Sequence, residues 1–244
     1  MEFLGEVVTW FADPGNWSGA DGIPARLVEH LVLAGIPLAI AVAVALPVGL
    51  LIGHTGRGAL VAISIANIGR ALPSLAILVI FLPLTIRAGL GLGFWPTIIA
   101  LTVLAIPPIV TNTFVGLREV DADLVETGRG MGMRGWQILR RVEVPLALPV
   151  ILAGMQIAAV QVVATATLGA VIASGGLGRY IIDGIAQGKD QEVFSGALIV
   201  AALAILTQLL FTGLQGLAVS PGLRERTASP MREPAQTGRS GPGF

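Results

Sequence analysis

Long charge-free stretches organise this sequence. Residues 31–52, 88–117, 144–178 and 193–223 carry no charged side chain, and 59–86 carries Arg70 alone. A helix crossing the hydrocarbon core needs about 20 apolar residues, so each stretch holds one span. The pattern predicts an all-α integral membrane protein with about five transmembrane helices, near 28–52, 59–86, 95–117, 146–173 and 195–219. The second is interrupted at Gly69-Arg70-Ala71-Leu72-Pro73, and the third follows the turn Gly89-Leu90-Gly91-Leu92-Gly93.

Outside the spans the character changes. In residues 1–27, an extracytoplasmic segment, Phe3, Leu4, Val7, Val8, Trp10 and Phe11 fall at helical spacing ahead of the breaker Asp13-Pro14-Gly15. This predicts a short amphipathic helix lying on the bilayer surface. The segment lacks the basic start and the apolar run of a signal peptide, so it is expected to be retained. Residues 118–144 form a loop dense in both charges, and 220–244 a polar tail expected to be disordered in the cytoplasm. Arg57, Arg118, Arg129, Arg134, Arg140, Arg141, Arg224, Arg226, Arg232 and Arg239 share one side of this arrangement, ten basic residues against Arg26, Arg87, Arg179 and Lys189 on the other. The positive-inside rule then places the N-terminus outside and the C-terminus inside. Trp10, Trp17 and Trp95 fall near the outer interface in that orientation.

Composition narrows the function classes. The chain is 54% hydrophobic and 12% charged, with mean hydropathy +0.83. Its 15 basic and 15 acidic residues cancel, which leaves no field to attract nucleic acid. There is no cysteine, and His30 and His54 fall on opposite sides of the bilayer, so no metal site or catalytic pair is expected. Nor is there a Gly-X-X-X-X-Gly-Lys-Ser/Thr loop to cradle ATP phosphates. A non-catalytic membrane protein without a bound cofactor follows, with a passive channel or scaffold as the alternative that spans alone leave open.

The loop carries the most specific signal. Asp123 is expected to cap a helix whose third residue is Glu126. Leu124, Gly128 and Met131 would share one face, and Gly132 would let the chain turn away. A short helix with a small apolar face and polar edges suits a groove on a soluble partner. The spacing is Glu126-Thr127-Gly128, then Gly132 after three residues, then Val142-Glu143-Val144-Pro145 after nine more. It resembles the signature Glu-Ala-Ala, three residues, Gly, nine residues, Ile, one residue, Leu-Pro of permease subunits of binding-protein-dependent ABC importers. Thr127 and Gly128 replace the two alanines, and valines replace Ile and Leu.

The resemblance extends over roughly residues 1–219. Asn16-Trp17, Gly22-Ile23-Pro24, Glu29-His30-Leu31, Ala71-Leu72-Pro73-Ser74-Leu75-Ala76, Pro107-Pro108, Thr111-Asn112-Thr113, Pro145-Leu146-Ala147-Leu148-Pro149 and Gly175-Gly176-Leu177-Gly178 look like the osmoprotectant permeases for glycine betaine, carnitine and choline. Methionine-importer permeases are the competing branch. The resemblance implies a methionine-importer-like core fold in a bacterial inner or plasma membrane, with a second permease copy or a paralogous chain completing the pathway. It also implies an extracytoplasmic substrate-binding protein and a cytoplasmic ABC ATPase that holds ATP and Mg and docks at Asp123, Leu124, Glu126, Gly128, Met131, Gly132 and Pro145.

Several polar and flexible positions have two readings. Arg70 and Pro73 either mark a broken helix beside the translocation path or are structural, Arg70 bonding carbonyls freed ahead of Pro73 or lying at the headgroups. Gln156, Gln161 and Thr165 either line that path or bond helix to helix. Gly175, Gly176 and Gly178 either shape the outer loop that meets the binding protein or form a simple flexible turn.

Overall fold

The computed structural model describes residues 2–218, all helical or loop, and the predicted tail at 220–244 lies outside them. Four of its helical runs are long and apolar enough to cross a membrane, and a bent pair makes a fifth candidate.

The first long run, α2 (Ile23–Thr55), follows a short N-terminal helix α1 (Glu2–Ala12) and a 3-10 turn at Pro14–Trp17. Pro24 opens α2 where its missing N–H is harmless, and Gly56 closes it at φ 68°. At 1.5 Å per residue its 33 residues reach about 50 Å, longer than the hydrocarbon core, so both ends emerge.

The break in the second span is a sharp corner. α3 (Ala59–Ala71) and α4 (Ser74–Arg87) meet at 97° across Leu72 and Pro73. Proline withholds an N–H and disfavours helical geometry in the residue before it, and Leu72 is accordingly extended at ψ 129°.

The centre of the bundle is α5 (Phe94–Arg118), which packs between α2 and the run that ends in α8 (Val144–Thr165). Small residues let the backbones approach. A Cβ on Gly49 would lie 2.6 Å from Thr113 Cβ, one on Gly53 2.9 Å from Leu117 Cβ, and one on Gly154 2.5 Å from Asn112 Cβ. Ala41, Ala45, Leu101, Ala105, Ile109, Ala158 and Val162 fill the dry interior around them.

The predicted loop 118–144 is itself structured, with α6 (Ala122–Gly130), α7 (Gly135–Ile138) and a π-helical turn Leu139–Glu143 that runs straight into α8. Beyond Thr165 the chain tightens into a 3-10 helix, Ala166–Ile172, and stops at Ala173 with φ 65°. It continues as α9 (Gly178–Gln187) and α10 (Asp190–Ala218). The apolar face of α1 sits on these elements as well as facing outward. Val7 is buried, Phe3 meets Phe194 edge-on at 5.4 Å and Trp10 meets Tyr180 edge-on at 5.4 Å, while Leu4 and Val8 stay exposed.

Candidate functional site

At one end of the bundle α6 packs beside α7 and the π-helical turn. The N-cap of α6 is Asp121, whose carboxylate accepts from Asp123 N–H at 3.0 Å. This corrects the expectation that Asp123 caps: α5 ends at Arg118, the connection is three residues long, and its last residue, Asp121, takes the cap. Asp123 sits instead in the first turn, where its charge complements the helix dipole. The C-terminus closes with two bonds, Gly132 N–H to Arg129 O at 2.9 Å and Met133 N–H to Gly128 O at 3.1 Å. They form a Schellman motif, and Gly132 supplies its left-handed residue at φ 81°.

Leu124 and Met131 are exposed, at 45% and 72%. Gly128 departs from the face they were expected to share. It is buried, and a Cβ there would meet Met133 Sδ at 3.4 Å and Ile138 at 3.6 Å. Glu126 is exposed beside them, as is Pro145 in the first turn of α8. Thus α6 shows a small apolar surface outward and leans on α7 through its glycine.

Behind α6 lies a contact that the sequence did not announce. His54, in the last turn of α2, and Glu143, in the π-helical turn, pair at 2.6 Å between Nδ1 and Oε2. Glu143 is 5% exposed. The signal available was only that both polar residues abut apolar spans. A cleft of about 390 Å³ opens beside the pair, bounded by Gly53, Arg118, Val125, Glu126 and Arg129.

At the opposite end, the turn Gly175-Gly176 is tied to the start of α2. Glu29 Oε2 accepts from Gly176 N–H at 2.9 Å and from Arg26 Nη1 at 2.7 Å, and Arg26 also pairs with Asp21. Tyr180 donates its hydroxyl proton to Asp21 O at 2.6 Å, and burial pushes its phenol up to about 12. His30, fully buried, donates from Nε2 to Val163 O at 2.9 Å. Gly176 is held at φ 74° with His30 Nδ1 3.1 Å from where a Cβ would be, and a Cβ on Gly178 would lie 2.3 Å from Thr167 O. These glycines shape a pinned turn, and the network of Glu29, His30 and Tyr180 around them went unread in the sequence.

Within the bundle the polar positions separate. Gln156 Nε2 donates to Gln208 O and to Thr212 Oγ1, each at 3.3 Å, and Gln215 Nε2 donates to Gln156 Oε1 at 2.8 Å. Gln156 is therefore engaged between α8 and α10. Arg70 Nη2 reaches Pro107 O on α5 at 3.4 Å instead of the carbonyls ahead of Pro73, and both Arg70 and Pro73 are exposed at the corner. Gln161 and Thr165 are half-buried on α8. An apolar cavity of about 320 Å³ opens between α2, α3 and α5, lined by Val48, Ala66, Gly69, Val103 and Pro107. Among the described residues no three His, Cys, Asp or Glu converge as a metal site would require.

Residues 35–224 match the family described as the binding-protein-dependent transport system inner membrane component. The chain belongs to this family. It is thus an inner-membrane permease component, and its relatives are transport subunits. The permease is 36% identical to the carnitine transport permease protein OpuCB of Listeria monocytogenes over 90% of its own length and 96% of that protein. It is 37% identical to the glycine betaine/carnitine/choline transport system permease protein OpuCB of Bacillus subtilis, over 80% of its length and 88% of the relative. Among solved structures, a chain of the inward-facing MetNI methionine ABC transporter superposes with a TM-score of 0.71 at 26% identity, covering 79% of this permease and 94% of that chain. The helical membrane architecture expected from the resemblance is therefore the observed one.

Proposed function

We propose that this permease carries a quaternary-ammonium osmoprotectant, glycine betaine, carnitine or choline, into the cytoplasm as part of an ATP-driven importer. The observation that carries the substrate class is the 36–37% identity, over 80–90% of the chain, to permeases named for those compounds. The solved methionine transporter, at 26% identity, supports an amino-acid importer as the second reading.

In this reading α6 docks on a cytoplasmic ABC ATPase that binds ATP and Mg. Leu124 and Met131 make the contact, with Asp123, Glu126 and Pro145 at its edge, and Gly128 and Gly132 set the helix's seat and exit. The N-terminus lies outside and the C-terminus inside, so the Gly175–Gly178 turn faces an extracytoplasmic binding protein. There Gly175, Gly176 and Gly178 shape the surface that their exposed neighbours present. A second permease copy or a paralogous chain completes the path, which Arg70, Pro73, Gln161 and Thr165 border, whereas Gln156 holds α8 to α10. A permanent cation is a poor neighbour for a quaternary ammonium, so Arg70 serves the corner or a gate and not the substrate's head.

The deciding experiment reconstitutes the permease with the ATPase and binding protein of its importer and measures ATP hydrolysis with betaine, carnitine, choline or methionine. Stimulation by a quaternary ammonium compound is expected, and stimulation by methionine alone would replace the substrate. Sidedness is read separately: a phosphatase fused after Leu223 is expected to be silent, and an active one would invert the topology.

A further inference from the structure

His54 and Glu143 stand 89 positions apart, whereas the other ion pairs among the described residues join positions five or fewer apart. Their pair joins the end of a spanning helix to the segment that follows α6. Glu143 is nearly enclosed, with a side chain 6% exposed, so removing its partner would leave a buried polar group without this hydrogen bond. Glu143 lies in the π-helical turn four positions after Leu139, and the two share a buried face while Arg140 and Arg141 stay exposed. Such turns occur frequently at functional sites.

The other edge of the imidazole faces the backbone of α7. A Cβ on Gly135, the first residue of α7, would lie 3.2 Å from His54 Nε2. Close approaches at glycines therefore link α6 to α7 where Gly128 faces Ile138, α7 to α2 where Gly135 faces His54, and α2 to α5 where Gly53 faces Leu117. The cleft beside the pair is lined by Val125, Glu126 and Arg129 of α6 and by Gly53 and His54 of α2, so the pair lies where these two helices are separated by open space.

We propose that the His54–Glu143 pair transmits displacement of α6 to α2, so that these two act as positioning residues that couple ATPase docking to the opening of the pathway. This rests on α6 being the docking element.

The test uses the complete complex in proteoliposomes and reads uptake per ATP hydrolysed, with carnitine, betaine, choline and methionine each supplied. His54→Gln and Glu143→Gln are expected to keep the ATPase associated yet lower the ratio about fivefold or more, the scale of a typical coupling energy. The double variant, whose facing amides can hydrogen-bond each other, is expected to recover much of it. Gly135→Ala, which leaves both partners in place and presses on Nε2, gives the same reading if either single variant fails to accumulate. An unchanged ratio accompanied only by a lower melting temperature, or a double variant no better than the singles, would overturn the proposal. A Leu124→Asp/Met131→Asp permease that still holds its ATPase would instead remove the docking assignment. Uptake of methionine alone would change the substrate while the ratio remained readable.

Discussion

Glu29 accepts the backbone N–H of Gly176 at 2.9 Å, across 147 positions of sequence. The carboxylate thereby closes the open end of the α8 run onto the first turns of α2. The same oxygen takes Arg26 Nη1, so the anion is both hydrogen-bonded and charge-compensated. Glu29→Ala removes the acceptor from the amide of buried Gly176, and a loss of about 1–3 kcal/mol is expected. Thermal unfolding in detergent would register it, and hydrogen exchange should rise first in residues 173–178. Unchanged exchange there would show that the turn is held by its glycines alone.

Tyr180 provides a pH dependence of definite sign. Its phenol ionises at 10.0 in the open chain and at about 12 here, because burial disfavours the phenolate. The folded state thus favours the protonated form. The stability from this source is fully present below pH 10 and is lost as pH rises through about 12. Tyr180→Phe should abolish that alkaline loss while costing about 1 kcal/mol at neutral pH through the bond to Asp21 O. Unfolding curves of the two proteins between pH 8 and 12 would separate these effects.

At Gly132 the backbone requirement predicts an order among substitutions. The left-handed conformation admits Asn at small cost but opposes a β-branched side chain. Gly132→Val should therefore loosen the end of α6 and reduce ATPase co-purification, with Gly132→Asn close to wild type. Equal co-purification by both would show that the proposed docking of α6 tolerates a frayed helix end.

Gln156→Leu should weaken the joint between α8 and α10. Interhelical hydrogen bonds in membranes average about 0.6 kcal/mol and reach about 1.7, so a modest loss is expected for a side chain bonded to Gln208, Thr212 and Gln215. Uptake per ATP should stay near wild type, because the amide is occupied between helices. A changed substrate preference would return Gln156 to the pathway.

The parts legible in the sequence were those decided within one segment. The long helices fall on the charge-free stretches, α2 and α10 each beginning five residues before the spans read at 28–52 and 195–219 and the run into α8 beginning at Gly135. The corner at Pro73 and the left-handed Gly132 follow from covalent geometry at single residues. Less legible was the cap of α6, since Asp121 and Asp123 are both competent and the choice depends on where α5 stops.

Length, apolarity and chain-breaking residues are local quantities, and a bilayer makes them decisive because every backbone polar group must be satisfied within its own helix. By itself, therefore, the sequence determined the apolar stretches that become the long helices, the break in the second and a short helix in the loop 118–144. Only the tertiary structure decided which polar groups face one another. That His54 meets Glu143, that Glu29 holds Gly176, that Gly128 turns inward to Ile138 and that Gln156 looks toward α10 all depend on rotations and separations between helices far apart in the chain. Those rotations are set by close approach at Gly49, Gly53 and Gly154, where the absent side chain matters only once its neighbour is in place.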